Sequence, residues 1–168
     1  MKKIVLTSIT FLFVSLFVSG QSLPTAPSPM KHVNDLSLLL SNSQKDSLEA
    51  QLVLFEKNNN INIYVVSFDS LCGYTSKTFA KRLQQKWNLS PKKLKNTAFI
   101  FIKPTGNAGE RYLYIAVSRD LESIIPDSVL SNIADNQLIP NFKNKQYYKG
   151  FLLATEAIKE SVLKANIK

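Results

Sequence analysis

The chain reads as an α/β protein, a three-layer α/β/α sandwich around a small mixed sheet made of a parallel βαβ unit plus an antiparallel hairpin. Three observations predict this. Two β-rich apolar runs, Ile61–Phe68 (INIYVVSF) and Thr97–Lys103 (TAFIFIK), flank a segment of helical periodicity. A stretch holding Pro104, Gly106 and Gly109 then leads into a third run, Arg111–Val117. Further amphipathic helical segments precede the first run and follow the last. Strand, helix, strand at this spacing is a right-handed crossover between parallel strands. Two runs joined by a short turn pair antiparallel, and helices on both faces bury the sheet.

Met1–Gly20 has a basic start (Lys2, Lys3), an apolar run from Ile4 to Val18 and small residues before Gln21. This is the pattern of a cleaved signal peptide, too short in its apolar part for a span. An exported protein, periplasmic or secreted, is expected. Without Lys2 and Lys3 the formal net charge falls from +9 to +7. Residues 21–30, with Pro24, Pro27 and Pro29, read as an extended linker, and residues 31–168 as a single domain.

In order, Ser41-Asn42-Ser43-Gln44 is a capping box. It opens a helix to about Asn58 with Leu48, Leu52 and Phe55 on its buried stripe. Ile61–Phe68 is apolar enough on both faces for a central strand. Thr75 or Ser76 starts a second helix to about Asn88, with Phe79, Leu83 and Trp87 inward, and a basic loop follows. Taking Thr105–Glu110 as the hairpin turn places Lys103 near Arg111 and Thr97 near Val117. Lys95 and Asn96 then lie beside Ser118 and Arg119. Leu121–Ile125 is expected as one helical turn stopped by Pro126. Asp127 or Ser128 caps a helix to about Leu138, Pro140-Asn141-Phe142 begins a link, and a last helix runs from about Gln146 to Lys164.

Residue types narrow the chemistry. Cys72 is the only cysteine and His32 the only histidine. An internal disulfide is excluded, and Cys/His catalysis or a Cys/His zinc site is not expected. The densest basic group is Lys81, Arg82, Lys86, Lys92, Lys93 and Lys95. It reads as a solvated helix face and loop, or as a contact for an acidic surface. Export and the lack of an aromatic-studded strand motif argue against nucleic acid.

Several short motifs, in order, carry a family resemblance. They are Val33-x-Asp35 before Leu39-Leu40-Ser41, the IYVVSF strand with Ser70-Leu71 after it, and Trp87-Asn88-Leu89. Asn96 before the next strand, Leu121-Glu122 followed by Asp127, Pro140-x-Phe142-Lys143 and Tyr148-x-Gly150-Phe151 complete the set. From about Val33 to Val162 the chain resembles the TPM-domain family of thylakoid-lumen phosphatase-like proteins and their bacterial secreted or membrane-anchored relatives. The resemblance implies the fold. It implies activity only loosely, because some relatives are acid phosphatases, some bind divalent metal and others are assembly factors. The chain ends at Lys168 without the membrane helix and Gly-rich tail of some relatives, so no stable membrane anchor is expected.

By the same resemblance, Asp35, Asn96, Glu122 and Asp127 are the candidate ligands for Ca²⁺ or Mg²⁺; in a phosphatase, the cationic side chains of Lys95 and Arg119 are the candidate contacts that steady the phosphate anion. Two departures fall here. Lys95-Asn96-Thr97 stands where the family has Asp-Asn-Gly, and Ser118-Arg119-Asp120 where it has Gly-x-Gly before Leu-Glu. An ammonium in place of a carboxylate can occupy the space and charge of the cation, so divalent ions are expected to bind weakly or not at all. Under that reading Asp127 caps a helix, Asp120 and Glu122 sit near a helix start, and Lys95 pairs with one of them. Two function classes follow. The first is a non-catalytic exported binding or envelope-maintenance module acting on an envelope protein. The second is a metal-assisted acid phosphatase acting on a phosphorylated small molecule.

Overall fold

Alternation along two apolar strands decides the architecture. On β2 (Asn62–Ser67) and β3 (Thr97–Lys103), Ile63, Val65, Ala98, Ile100 and Ile102 turn to one face. Val66, Phe99 and Phe101 turn to the other. All seven residues of β3 are buried, as a strand covered on both faces requires. In the computed structural model, which describes residues 22–89, 94–106 and 111–166, the strands form one four-stranded sheet. β1 (Val33–Asp35) lies parallel to β2, and β2 parallel to β3. β4 (Tyr112–Val117) runs antiparallel to β3 and forms the edge opposite β1.

Helix α1 (Asn42–Asn59) packs Leu48, Leu52 and Phe55 on the first face. Its Ser41 capping box forms in both directions, and Asn60 closes it in the left-handed region. The same face takes α3 (Asp127–Ile133), a π-helical turn (Ala134–Leu138), α4 (Ile139–Lys143) and α5 (Tyr147–Asn166). Leu130, Ile133, Leu138, Phe151, Ile158 and Val162 are their buried contributions. Helix α2 (Ser76–Lys86), capped by Thr75, covers the second face with Phe79, Leu83 and the following Trp87. Residues 22–30 lie along that face: Leu23 and Met30 pack against its cluster, and the Trp87 indole N–H donates to the Pro24 carbonyl at 2.9 Å.

The α/β sandwich is as the sequence predicts, and four details differ. Val33–Asp35 is a third parallel strand, too short for its alternation to be read. The hairpin register is one residue further on: Ala98, not Thr97, faces Val117, and Tyr112, not Arg111, faces Lys103. The side-chain faces select this register, because it sets Ile100 opposite Ile115 and Ile102 opposite Leu113 on the first face. Pro126, not Asp127, is the N-cap of α3, so Asp127 is its first helical residue. Pro140-Asn141-Phe142 is helix rather than link, with Pro140 just after the π-helical turn that joins α3 to α4. The expected signal peptide, Lys92, Lys93 and the tip of the hairpin turn lie outside the described residues.

Candidate functional site

The hairpin register brings the residues before β3 to those after β4. Ser118 donates its N–H to the Thr97 carbonyl at 2.8 Å, and its hydroxyl accepts from the Thr97 N–H at 2.9 Å. One residue further out, the Asn96 N–H donates to Asp120 Oδ2 at 2.6 Å. Asn96 itself is in the left-handed region, with φ 51°, a conformation that asparagine tolerates. Asp120 sits in a single 3₁₀ turn, Arg119–Leu121. Desolvation, the largest single influence, pushes its carboxyl up. The Asn96 N–H, the Ser118 hydroxyl, its own N–H and the Lys95 charge outweigh this and hold it below the ordinary carboxylate range.

Arg119, Glu122 and Asp127 share a cleft of about 800 Å³ next to this link. The cleft follows the free edge of β4, with Lys77, Lys81, Gln84 and Gln85 of α2 as its other wall. Tyr112 and Tyr114 stack along the edge with centroids 6.2 Å apart. Burial, then the neighbouring Tyr114 charge, pushes the Tyr112 phenol up to about 12. Burial, then the Asp127 carboxylate, raises Tyr114 as well, so both stay neutral hydrogen-bonding groups at physiological pH. Arg119, Glu122 and Asp127 are exposed at the cleft and can meet a charged ligand.

The remaining expected ligand lies elsewhere. Asp35 pairs in register with Ser67, near the end of β3 away from Asn96. Its Oδ1 accepts from the Leu39 N–H at 3.1 Å and the Ser67 hydroxyl at 2.5 Å, and its Oδ2 from the Leu40 N–H at 2.9 Å. Those bonds hold the loop between β1 and α1, where Leu38 takes φ 54°. Of the four expected metal ligands, the fold therefore brings only Glu122 and Asp127 into one cleft. Asn96 is beside it, tied to Asp120, and Asp35 is remote. Among the described residues, no three His, Cys, Asp or Glu side chains are grouped so as to hold a metal ion. The expected ligand set does not fit a shared cation.

The wall formed by α2 was not picked out from the sequence as part of a site. Lys81 stood out only as one of a basic group, and Lys77, Gln84 and Gln85 carried no motif. The signal was in the topology: a right-handed crossover lays α2 over β2 and β3, which leaves one helix side toward the β4 edge. His32 is likewise structural. It is buried between Glu56, with Nε2 to Oε2 at 3.0 Å, and the Ile63 carbonyl, with Nδ1 at 3.2 Å, and it stacks on Tyr64.

The sequence profile of the TPM domain matches residues 33–161. Among solved structures, the N-terminal domain of a Porphyromonas gingivalis (P. gingivalis) protein, determined by NMR, is similar with a TM-score of 0.68 at 22% identity; the match covers 80% of this chain and 83% of that one. The N-terminal domain of a Corynebacterium glutamicum protein is similar with a TM-score of 0.57 at 17% identity, covering 84% and 87% of the two chains. At these identities the likeness shows the fold alone. No curated protein matches the chain. The profile match, which spans the whole sheet and nearly all of the helical layers, shows that the chain belongs to the TPM-domain family.

Proposed function

We propose that this TPM-domain protein is an exported, non-catalytic binding module that engages an envelope protein through the cleft along β4. The observation that carries the reading is the division of charged groups around the hairpin. Asp120 and the Asn96 N–H are spent on each other, whereas Arg119, Glu122 and Asp127 line an open cleft with Lys77 and Lys81. A cleft of that size with opposed charged walls recognises a partner by complementarity. Export rests on the basic start and apolar run of Met1–Gly20.

A metal-assisted acid phosphatase is the second reading, favoured by one observation: a cation, Arg119, and two carboxylates, Glu122 and Asp127, line the same cleft. The experiment that separates the two is hydrolysis of p-nitrophenyl phosphate by the purified chain, with and without Ca²⁺ or Mg²⁺, beside a melting titration with each ion. The module reading expects no turnover above a boiled control and no rise of several degrees at micromolar ion, because Lys95 occupies the place of the family's carboxylate. Turnover abolished by Glu122→Ala in a folded variant overturns it.

A further inference from the structure

The two edges of the sheet are treated differently. β1 is three residues long, whereas β4 is six residues, Tyr-Leu-Tyr-Ile-Ala-Val, with no charge and no proline. Folded proteins usually blunt such an edge with one of those devices. Here its outer side lines the cleft instead.

The backbone pattern identifies the free groups. In an antiparallel ladder, pairs that exchange hydrogen bonds alternate with pairs that do not. Thr97 and Ser118 are bonded, by Ser118 N–H to the Thr97 carbonyl. Phe99 with Ala116 and Phe101 with Tyr114 are then bonded pairs, and Ala98 with Val117, Ile100 with Ile115 and Ile102 with Leu113 are not. The Ile102 carbonyl confirms the phase, since it accepts from Phe68 on the β2 side at 3.0 Å. Leu113, Ile115 and Val117 therefore turn their N–H and C=O groups out of the sheet; Ile115 and Val117 line the cleft, and Leu113 continues the same edge just beyond it.

The two walls of the cleft have different chemistry. On the α2 side stand Lys77 and Lys81. On the other, Ile115 and Leu130 are the apolar floor, and Glu122 and Asp127 the rim. We propose that β4 accepts an extended segment of a partner protein as a fifth strand, with acidic side chains alternating with apolar ones. The acidic side chains face Lys77 and Lys81, and the apolar ones face Ile115 and Leu130. Main-chain bonds to Leu113, Ile115 and Val117 supply affinity, and the alternation supplies specificity. Glu122 and Asp127 exclude the segment in the opposite phase, because its acids would meet theirs. The same charges argue against a second copy as occupant. Pairing β4 with β4 about a twofold axis would turn the lysines of each α2 toward those of the other. This deepens the binding-module reading and rests on it.

The test uses the purified chain and four fluorescent octapeptides: (Glu-Val)₄, (Lys-Val)₄, and two forms of (Glu-Val)₄ N-methylated at alternate residues, one in each phase. Anisotropy should show binding of (Glu-Val)₄ but not of (Lys-Val)₄. N-methylation should weaken it by about tenfold or more in one phase only, since only alternate N–H groups face β4. Amide NMR shifts should centre on Leu113, Ile115 and Val117. Lys77→Glu with Lys81→Glu should exchange the preference between the two charged peptides. Equal binding of both methylated phases means charge alone is read and overturns strand addition, as does binding centred elsewhere or no binding at all. A concentration-dependent dimer that displaces the peptide overturns it in favour of a second copy. Each of these leaves the module reading standing, whereas phosphate-ester turnover removes that reading whatever the peptides do.

Discussion

The Asn96 N–H donates to Asp120 Oδ2 at 2.6 Å and so ties the residue before β3 to the turn after β4. The family resemblance implies a carboxylate and glycines around this point. In this chain the same space is closed by a hydrogen bond within the protein, with the Lys95 charge beside it. The turn that carries Arg119 to the cleft is held by that bond.

Replacing Asp120 by Ala should lower stability modestly, by about 1 kcal/mol or less, because the group is exposed and water replaces part of the bond. The pH dependence has a definite sign. The native carboxyl is held below its ordinary 3.8, so the contribution is present above the unfolded value and lost as pH falls through the lowered native one. Urea unfolding at stepped pH should show a constant difference between wild type and Asp120→Ala near neutrality that closes in acid. A difference that persists unchanged below about pH 2 would show that the carboxylate charge is not what holds the turn.

Asp35→Ala should cost about 2–3 kcal/mol, since it leaves the Leu39 and Leu40 N–H groups and the Ser67 hydroxyl without their acceptor. The cost should be the same in EDTA and in Ca²⁺, as a loop-holding role requires. Thermal melts of both proteins in both buffers measure it. A loss seen only with calcium would make Asp35 a ligand.

Gly150→Ala should destabilise by about 1–3 kcal/mol through overpacking. A Cβ there would lie 2.6 Å from Phe142 Cε1 and 3.3 Å from Asn141 Cβ, where α5 crosses α4. Combining it with Phe142→Leu should recover part of the loss, which a double-mutant cycle on melting temperature reads directly. Strict additivity would mean that the two sites are not in contact.

Much of the fold was legible in the chain. The Ser41 capping box, the Leu48/Leu52/Phe55 stripe and the unbroken run of β3 each follow from near-neighbour physics: capping, helical period and burial on both faces. β1 was not legible, because three residues, two of them polar, carry no period. Its strand geometry comes from pairing with Val65, Val66 and Ser67, far along the chain.

The site divides in the same way. Sequence by itself determined which residues carry charge around the hairpin, and the turn between β3 and β4 determined that Asn96 and Arg119 share one end of the sheet. It also determined the family, through motifs spread from Val33 to Val162. Only the tertiary structure decided that Asp35 lies at the far end, that Asp120 is engaged by Asn96, and that α2 supplies the second wall of the cleft. The physical reason is that local order fixes how a side chain is spaced from its neighbours, whereas the direction of a parallel strand and the hand of a crossover decide which distant residues it meets. A one-residue register, chosen by the packing of Ile100 on Ile115, was enough to place Asn96 against Asp120.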